Sequence, residues 1–262
     1  MTTVEITYIG GPTAVIELAG LRLLTDPTFD APGAYPIGSR ELTKTAGPAR
    51  RPADIGPVDA VLLSHDQHPD NLDTSGRAYL ATAPLALSTP SAEARLGAPV
   101  RALAPWERVE LPLPGDGALH VTAVPALHGP VGSEALVGEV TGFVLSGDDL
   151  PKVYVSGDNA SLDLVREIAR REGPFDIAVL FAGAARTPLV PDAPLTLTSA
   201  QAAEAARILG ARHVVPLHFE HWAHFTEDGS ALTKAFAEAG LTERLHLLAP
   251  GASVRMSVVD PL

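Results

Sequence analysis

Apolar and polar residues alternate at the start of the chain through Val4, Ile6 and Tyr8. The apolar run resumes after Gly10-Gly11-Pro12 as Ala14 to Leu18 and, past Ala19-Gly20, as Leu21 to Leu24. A period of two predicts strands, so this opening reads as a three-strand antiparallel meander closed by Thr25-Asp26-Pro27. From residue 58 onward, short apolar runs are separated by segments with helical spacing or by loops. The runs predict strands over Val58 to Leu63, Leu85 to Ser88, Leu119 to Val124, Gly142 to Leu145, Val153 to Val155, Ile177 to Phe181 and Val214 to Leu217. Helical spacing predicts helices over Leu72 to Ala81, Leu162 to Arg171, Ala200 to Leu209 and Ser230 to Ala239, with Ser161 and Ser199 as N-caps of the second and third.

Composition narrows the chemistry. Apolar residues make up 46% of the 262 positions and charged residues 19%, which fits one well-packed domain over 1–262. The chain has no cysteine, so a metal would be held by nitrogen and oxygen alone. The net charge of −12 disfavours nucleic acid as a partner. No apolar run approaches the roughly 20 residues needed to cross a bilayer, and the start lacks a basic region followed by an apolar core. The expectation is a cytoplasmic protein without a membrane partner, acting on a small molecule, with homo-oligomerisation left open. One basic stretch stands out: Arg40, Lys44, Arg50 and Arg51 occur with Glu41 as the only acid, in Gly/Pro-punctuated sequence that reads as a long loop. It is either a solvated surface or an anion-attracting rim beside a site.

Four of the strand-like runs lead into a histidine or an aspartate: Val61-Leu62-Leu63-Ser64-His65, Val121 to His128, Val153 to Asp158, and Val214 to His218. Sites in sheet-based folds form where strand ends and their loops converge. The first run is the densest, since His65, His68 and Asp70 fall within six residues. Imidazole and carboxylate together suit zinc, manganese or iron.

The segment Ser64-His65-Asp66-Gln67-His68-Pro69-Asp70-Asn71 resembles the His-x-His-x-Asp-His signature of the metallo-β-lactamase superfamily. His128, Asp158 in Ser-Gly-Asp, and His218 follow in the order of that family's later motifs. Leu24-Thr25-Asp26-Pro27 is similar to its first motif. Gly10-Gly11-Pro12-Thr13 and Pro216-Leu217-His218-Phe219-Glu220 point to the branch with the ascorbate-phosphate lactonases and phospholipase-D-like hydrolases. The resemblance implies an α/β fold of four layers, αββα, with a site at one edge of two face-to-face sheets. It implies one metal on His65, His68 and His128 and a second on Asp70, Asp158 and His218, with zinc expected first and manganese or iron as alternatives. Two departures stand in the signature. Gln67 occupies the place of the second histidine, and His68 is preferred because it keeps the His-x-Asp relation to Asp70. Asn71 replaces the final histidine, which leaves one or two ions open.

The resemblance implies hydrolysis of an ester, lactone or phosphodiester, since a Lewis-acidic metal lowers the pKa of its water from 15.7 toward about 7. Asp70 is expected to act as base while ligating, and His224 to protonate the leaving group. Asp26 is either a support for the ligands or a plain Asp-Pro turn. His221 and His224 either line the substrate side or edge an aromatic plug with Trp222 and Phe225. His120, His213 and His246 read as structural. Arg186 with the basic stretch favours an anionic substrate. The alternatives are a single-iron dioxygenase of the same fold and a non-catalytic binder with a decayed site.

Overall fold

The computed structural model describes residues 2–257. Strands β1 (Thr3–Gly10), β2 (Thr13–Leu18) and β3 (Leu21–Thr25) lead into a hairpin, β4 (Gly33–Ile37) and β5 (Arg40–Lys44), and a short helix α1 (Pro52–Ile55). Then come β6 (Ala60–Leu62), α2 (Thr74–Leu80), β7 (Ala86–Ser88), α3 (Pro90–Leu96) and β8 (Val100–Ala102). The second half runs β9 (Arg108–Pro112), β10 (Ala118–Pro125), α4 (Glu134–Val137), β11 (Thr141–Ser146) and β12 (Val153–Val155). It continues with α5 (Leu162–Glu172), β13 (Ile177–Phe181), α6 (Ser199–Leu209), β14 (His213–Leu217), α7 (Gly229–Glu238) and β15 (Ser253–Ser257).

Among the described residues these strands form a seven-stranded sheet, β15-β1-β2-β3-β6-β7-β8, and a six-stranded sheet, β14-β13-β12-β11-β10-β9, with β4-β5 apart. Each sheet joins an antiparallel half to a parallel one: β3, β6, β7 and β8 pair in parallel, as do β12, β13 and β14. One core lies between the sheets, where Ile6, Ile16 and Leu23 meet Val121, Phe143 and Val179. The outer face of the six-stranded sheet, including Ala178 and Leu180 of β13, is covered by Val165 and Ile168 of α5, the alanines of α6, and Leu232 and Phe236 of α7. The outer face of the other sheet buries Val61 and Ala86 with Leu80 of α2. This is the four-layered αββα arrangement. It explains why β13 is buried at every position, since both of its faces are covered.

Local signals set the helices. Ser161 accepts from the Leu164 amide at the start of α5 as expected. For α6 the cap is Thr198 rather than Ser199: Thr198 Oγ1 accepts from the Gln201 amide and Gln201 Oε1 from the Thr198 amide, a reciprocal capping box. The basic stretch is not one long loop. Gly38-Ser39 makes a two-residue turn, with Gly38 at φ 58°, and pairs Ile37 with Arg40 across the β4-β5 hairpin. No helix among the described residues is long and apolar enough to cross a membrane.

Candidate metal centre

The strand ends flagged by the sequence converge on one edge of the sandwich: β6 from one sheet, and β10, β12 and β14 from the other. Beyond β6 the chain turns through His68, whose carbonyl accepts from the amides of Asn71 and Leu72 at 3.1 and 2.9 Å. This turn brings His68 Nδ1 to 2.9 Å from His65 Nε2 and 3.2 Å from His128 Nε2. The three nitrogens form a first triad. Two of its rings are fixed from behind. His65 Nδ1–H donates to Ser64 Oγ at 3.0 Å, and that hydroxyl donates to Asp26 Oδ2 at 2.6 Å. His128 Nδ1–H donates to the Leu195 carbonyl at 2.9 Å. Both Nε2 lone pairs are thereby left to face the triad.

Asp70, Asp158 and His218 form a second triad, all three buried. His218 Nε2 lies 3.3 Å from Asp70 Oδ2 and 3.4 Å from Asp158 Oδ1. Asp158 links the triads, since its Oδ2 is 3.6 Å from His128 Nε2. Two backbone features make this possible. A Cβ on Gly157 would stand 2.6 Å from the Thr141 carbonyl and 2.8 Å from Ser64 Cβ, so only glycine lets the chain after β12 pass so close to the signature segment. His218 adopts a left-handed φ of 57°, a strained conformation of the kind found at functional sites.

Burial opposes ionisation of both second-triad carboxyls, yet neighbouring imidazoles outweigh it. His224 and His218 hold Asp70 well below the usual carboxylate range, and His218 with His128 does the same for Asp158. Burial likewise opposes a charge on His218, but Asp158 and Asp70 raise it to about 10. With no ion bound, a proton on His218 balances the paired carboxylates; a dication held there would take its place. In the first triad, burial and repulsion from neighbouring imidazoles keep His65 and His68 neutral: His65 falls well below its ordinary value and His68 to about 4. Neutral imidazoles and ionised carboxylates are the metal-binding forms. Asp70 Oδ1, Asp158 Oδ2 and His218 Nε2 are buried without a hydrogen-bond partner. Buried polar atoms are otherwise almost always satisfied, so the orphaned atoms of the second triad fit a divalent cation, and the converging imidazole nitrogens of the first form a donor set that fits another.

The remaining sequence expectations divide. Gln67 is not in the triad: its amide packs where a Gly138 Cβ would be, 2.6 Å away, and His68 stands in the triad with His65 and His128. Asp66 is buried and paired with Arg95, whose Nε and Nη2 bind its two oxygens. Asn71 donates from its amide nitrogen to Asp26 Oδ2 at 3.0 Å and Asp158 Oδ1 at 3.3 Å. Asp26 is a support rather than a plain turn; its Oδ1 also accepts from the Ser64 amide at 2.6 Å. Burial raises its carboxyl to about 7 against the hydrogen bonds from Ser64 and Asn71.

His221 and His224 part ways. His221 lies against Gly10, where a Cβ would be 2.6 Å from its ring. His224 Nε2–H donates to Asp70 Oδ2 at 3.0 Å. His120 faces Glu110 at 3.5 Å, and His213 pairs with His246 at 2.9 Å, all away from the triads. The sequence reading missed the ion pair of Lys44 with Asp73, 3.0 Å apart and buried, which ties β5 to the start of α2. It also missed that Arg40 reaches Thr187 Oγ1 at 2.8 Å and that Ile37, Arg40 and Leu42 face His68, Asp70 and His224 across a cleft.

The chain is similar to known proteins over most of its length. The family described as beta-lactamase superfamily domain matches residues 21–219. A UPF0173 metal-dependent hydrolase of Pyrococcus furiosus is 23% identical over 253 residues, covering 97% of this chain and all of that protein. A namesake from Rubrobacter xylanophilus is 32% identical over 140 residues, which is 52% of this chain and 54% of the relative. Among solved structures, an isothiocyanate hydrolase from Delia radicum gut bacteria superposes with a TM-score of 0.80 at 21% identity, covering 95% of this chain and 98% of the other. Igni18, a metallo hydrolase of Ignicoccus hospitalis, gives 0.72 at 21%, covering 98% and 100%. A fold shared over nearly the whole chain and a family match running from β3 past the last ligand candidate lead to one statement: this chain belongs to the beta-lactamase superfamily and is a metal-dependent hydrolase of that fold.

Proposed function

We propose that the protein hydrolyses an ester, lactone or phosphodiester bond in a small anionic substrate, with zinc in the first triad and a second dication beside it. The observation that carries this reading is Asp158, whose two oxygens face the two triads separately. A bound dication supplies Lewis acidity, lowering the pKa of water and polarising the bond under attack.

The chain's own groups do the rest. His65, His68 and His128 hold the first ion, with Ser64 and the Leu195 carbonyl orienting two of the rings. Asp70 belongs to the second triad and also lines the cleft, so it would orient the attacking water. The cleft encloses about 30 Å³, room for about two waters beside Asp70 and His68. Ile37, Leu42 and Val137 line the same cleft and offer apolar surface to the body of a substrate. Arg40 and Arg186 border the same cleft and favour a negative charge on the substrate.

The test is elemental analysis of protein purified without added metal, joined to a panel of anionic esters, lactones and phosphodiesters with and without zinc or manganese. An isothiocyanate belongs on the panel because a structural relative is named for that substrate. Zinc at one to two equivalents and metal-stimulated cleavage of a panel member are expected. Iron with oxygen consumption, or metal without any hydrolysis, would overturn the proposal.

A further inference from the structure

Asn71 stands where the family signature has its last histidine, and the structure gives it a different task. Its amide nitrogen donates to Asp26 and Asp158, and its Oδ1 is buried without a partner. Turning the amide over would set its oxygen against two carboxylates. Asn71 therefore braces Asp158 and does not ligate, which leaves the second triad with three donors.

We propose that His224 supplies, through Nε2, the ligand that Asn71 cannot, completing the second ion's set with Asp70, Asp158 and His218. The inference rests on the metal-dependent reading above. His224 Nε2 is 3.0 Å from Asp70 Oδ2, the same oxygen that His218 Nε2 approaches to 3.3 Å, and His218 is 3.4 Å from Asp158 Oδ1. Donor atoms on one tetrahedral zinc, with bonds of about 2.0–2.1 Å, stand roughly 3.3 Å apart. Each successive pair in this run has the spacing of neighbours on one ion; Asp70, Asp158 and His218 already lie together, and His224 Nε2 adjoins that group through Asp70. The imidazole is also held in place: its ring contacts Phe225 at 4.6 Å between centroids, and its carbonyl accepts from the Arg186 amide at 3.0 Å.

The sequence order explains why the exchange works. His218 and His224 lie on one segment after β14, whose left-handed residues His218 and His221 fold it back over the triads. One loop thus delivers two imidazoles where the usual pattern takes one from the signature segment. The two sites should not be equally strong. His65 and His128 are backed by Ser64 and Leu195, whereas Nδ1 of His218 and Nδ1 of His224 have no partner. Ligand histidines without such backing bind metal less tightly, so the second ion is the weaker one.

Metal-free protein titrated with cobalt(II), followed by its visible ligand-field bands and by bound-metal analysis, tests this. The wild type takes up two equivalents in two steps. His224→Gln keeps an amide that donates to Asp70 but offers no imidazole; it retains the first step and loses the second, or weakens it roughly 100-fold or more. His224→Ala does the same, and added free imidazole restores part of the second band. His221→Ala keeps both steps. A His224→Gln variant that binds the second cobalt with wild-type affinity and spectrum would make His224 a mere hydrogen-bond clamp on Asp70 and overturn the inference. So would a wild type that binds one ion. A wild type that binds none would sink the functional proposal itself.

Discussion

Asp158 and His128 meet at 3.6 Å through Asp158 Oδ2, while the other oxygen of the same carboxylate lies 3.4 Å from His218. Each triad therefore borrows half of one side chain, and damage to that side chain should not stay local. Asp158→Asn keeps the shape but removes the charge. It should lower bound metal from two equivalents to at most one and reduce turnover roughly 100-fold or more. Elemental analysis and steady-state rates on the same preparation check this, and a variant with both ions and full turnover would refute the bridging role.

Asp26 touches no ligand atom directly, yet its two oxygens hold the Ser64 amide, the Ser64 hydroxyl and the Asn71 amide. Through Ser64 it fixes the ring of His65, and through Asn71 it braces Asp158. Asp26→Ala should weaken zinc binding about 10- to 100-fold, the usual cost of losing a group behind a ligand. Ser64→Ala should reproduce the part of the loss that runs through His65. Competition with a chromophoric chelator gives both numbers; unchanged affinity in Asp26→Ala would reduce it to a turn residue.

Four of the candidate ligands were legible because each follows the end of a strand, and strands announce themselves by apolar runs. His65, His128, Asp158 and His218 all stand within a few residues of such an end. What the sequence concealed is how side chains turn. Whether Gln67 or His68 faces the triad depends on the turn closed by the His68 carbonyl and on space at Gly138. The hairpin was hidden for another reason. In β5 the alternation is carried by Arg40, Leu42 and Lys44, and a buried lysine reads as solvated sequence until Asp73 is placed beside it.

That lysine makes a stability prediction. Lys44 Nζ is 3.0 Å from Asp73 Oδ2, with the side chains 2% and 0% exposed. Asp73 also caps α2 by accepting from the Gly76 amide at 2.7 Å. Lys44→Ala leaves a buried carboxylate without its cation and should cost about 3–5 kcal/mol. The double variant Lys44→Met with Asp73→Asn should cost less than the single one, because no charge is left stranded. Urea unfolding of the metal-free proteins measures both; a single variant within about 0.5 kcal/mol of wild type would show the pair to be incidental.

His213 and His246 face each other at 2.9 Å, far from the triads. Burial lowers both below the ordinary value of 6.5, and His213 lowers His246 further, while Asp176 and Arg212 act on His213 in opposite directions. A histidine whose folded pKa is depressed binds fewer protons folded than unfolded. It adds nothing above about 6.5, and stability falls as pH drops below that value. The unfolding midpoint in urea should fall between pH 7 and pH 5, and His213→Gln should flatten the fall. Equal slopes in variant and wild type would remove the pair from the account.

Arg40 offers the sharpest test of substrate charge. Its guanidinium donates to Thr187 Oγ1 at 2.8 Å and so links the hairpin to the loop on the far side of the cleft that holds Asp70 and His224. The partner is a neutral hydroxyl, so the positive charge is available to an incoming anion. Arg40→Gln keeps a donor for Thr187 and removes the charge. For an anionic substrate KM should rise about 5- to 10-fold with little change in kcat, the pattern of lost binding felt equally in ground and transition states. Raising salt should increase KM of the wild type and leave the variant nearly flat, since exposed charges are screened within about 10 Å at 0.1 M. A matched neutral ester should respond to neither change. Equal losses for the neutral and anionic substrates would show that Arg40 shapes the cleft and does not read charge.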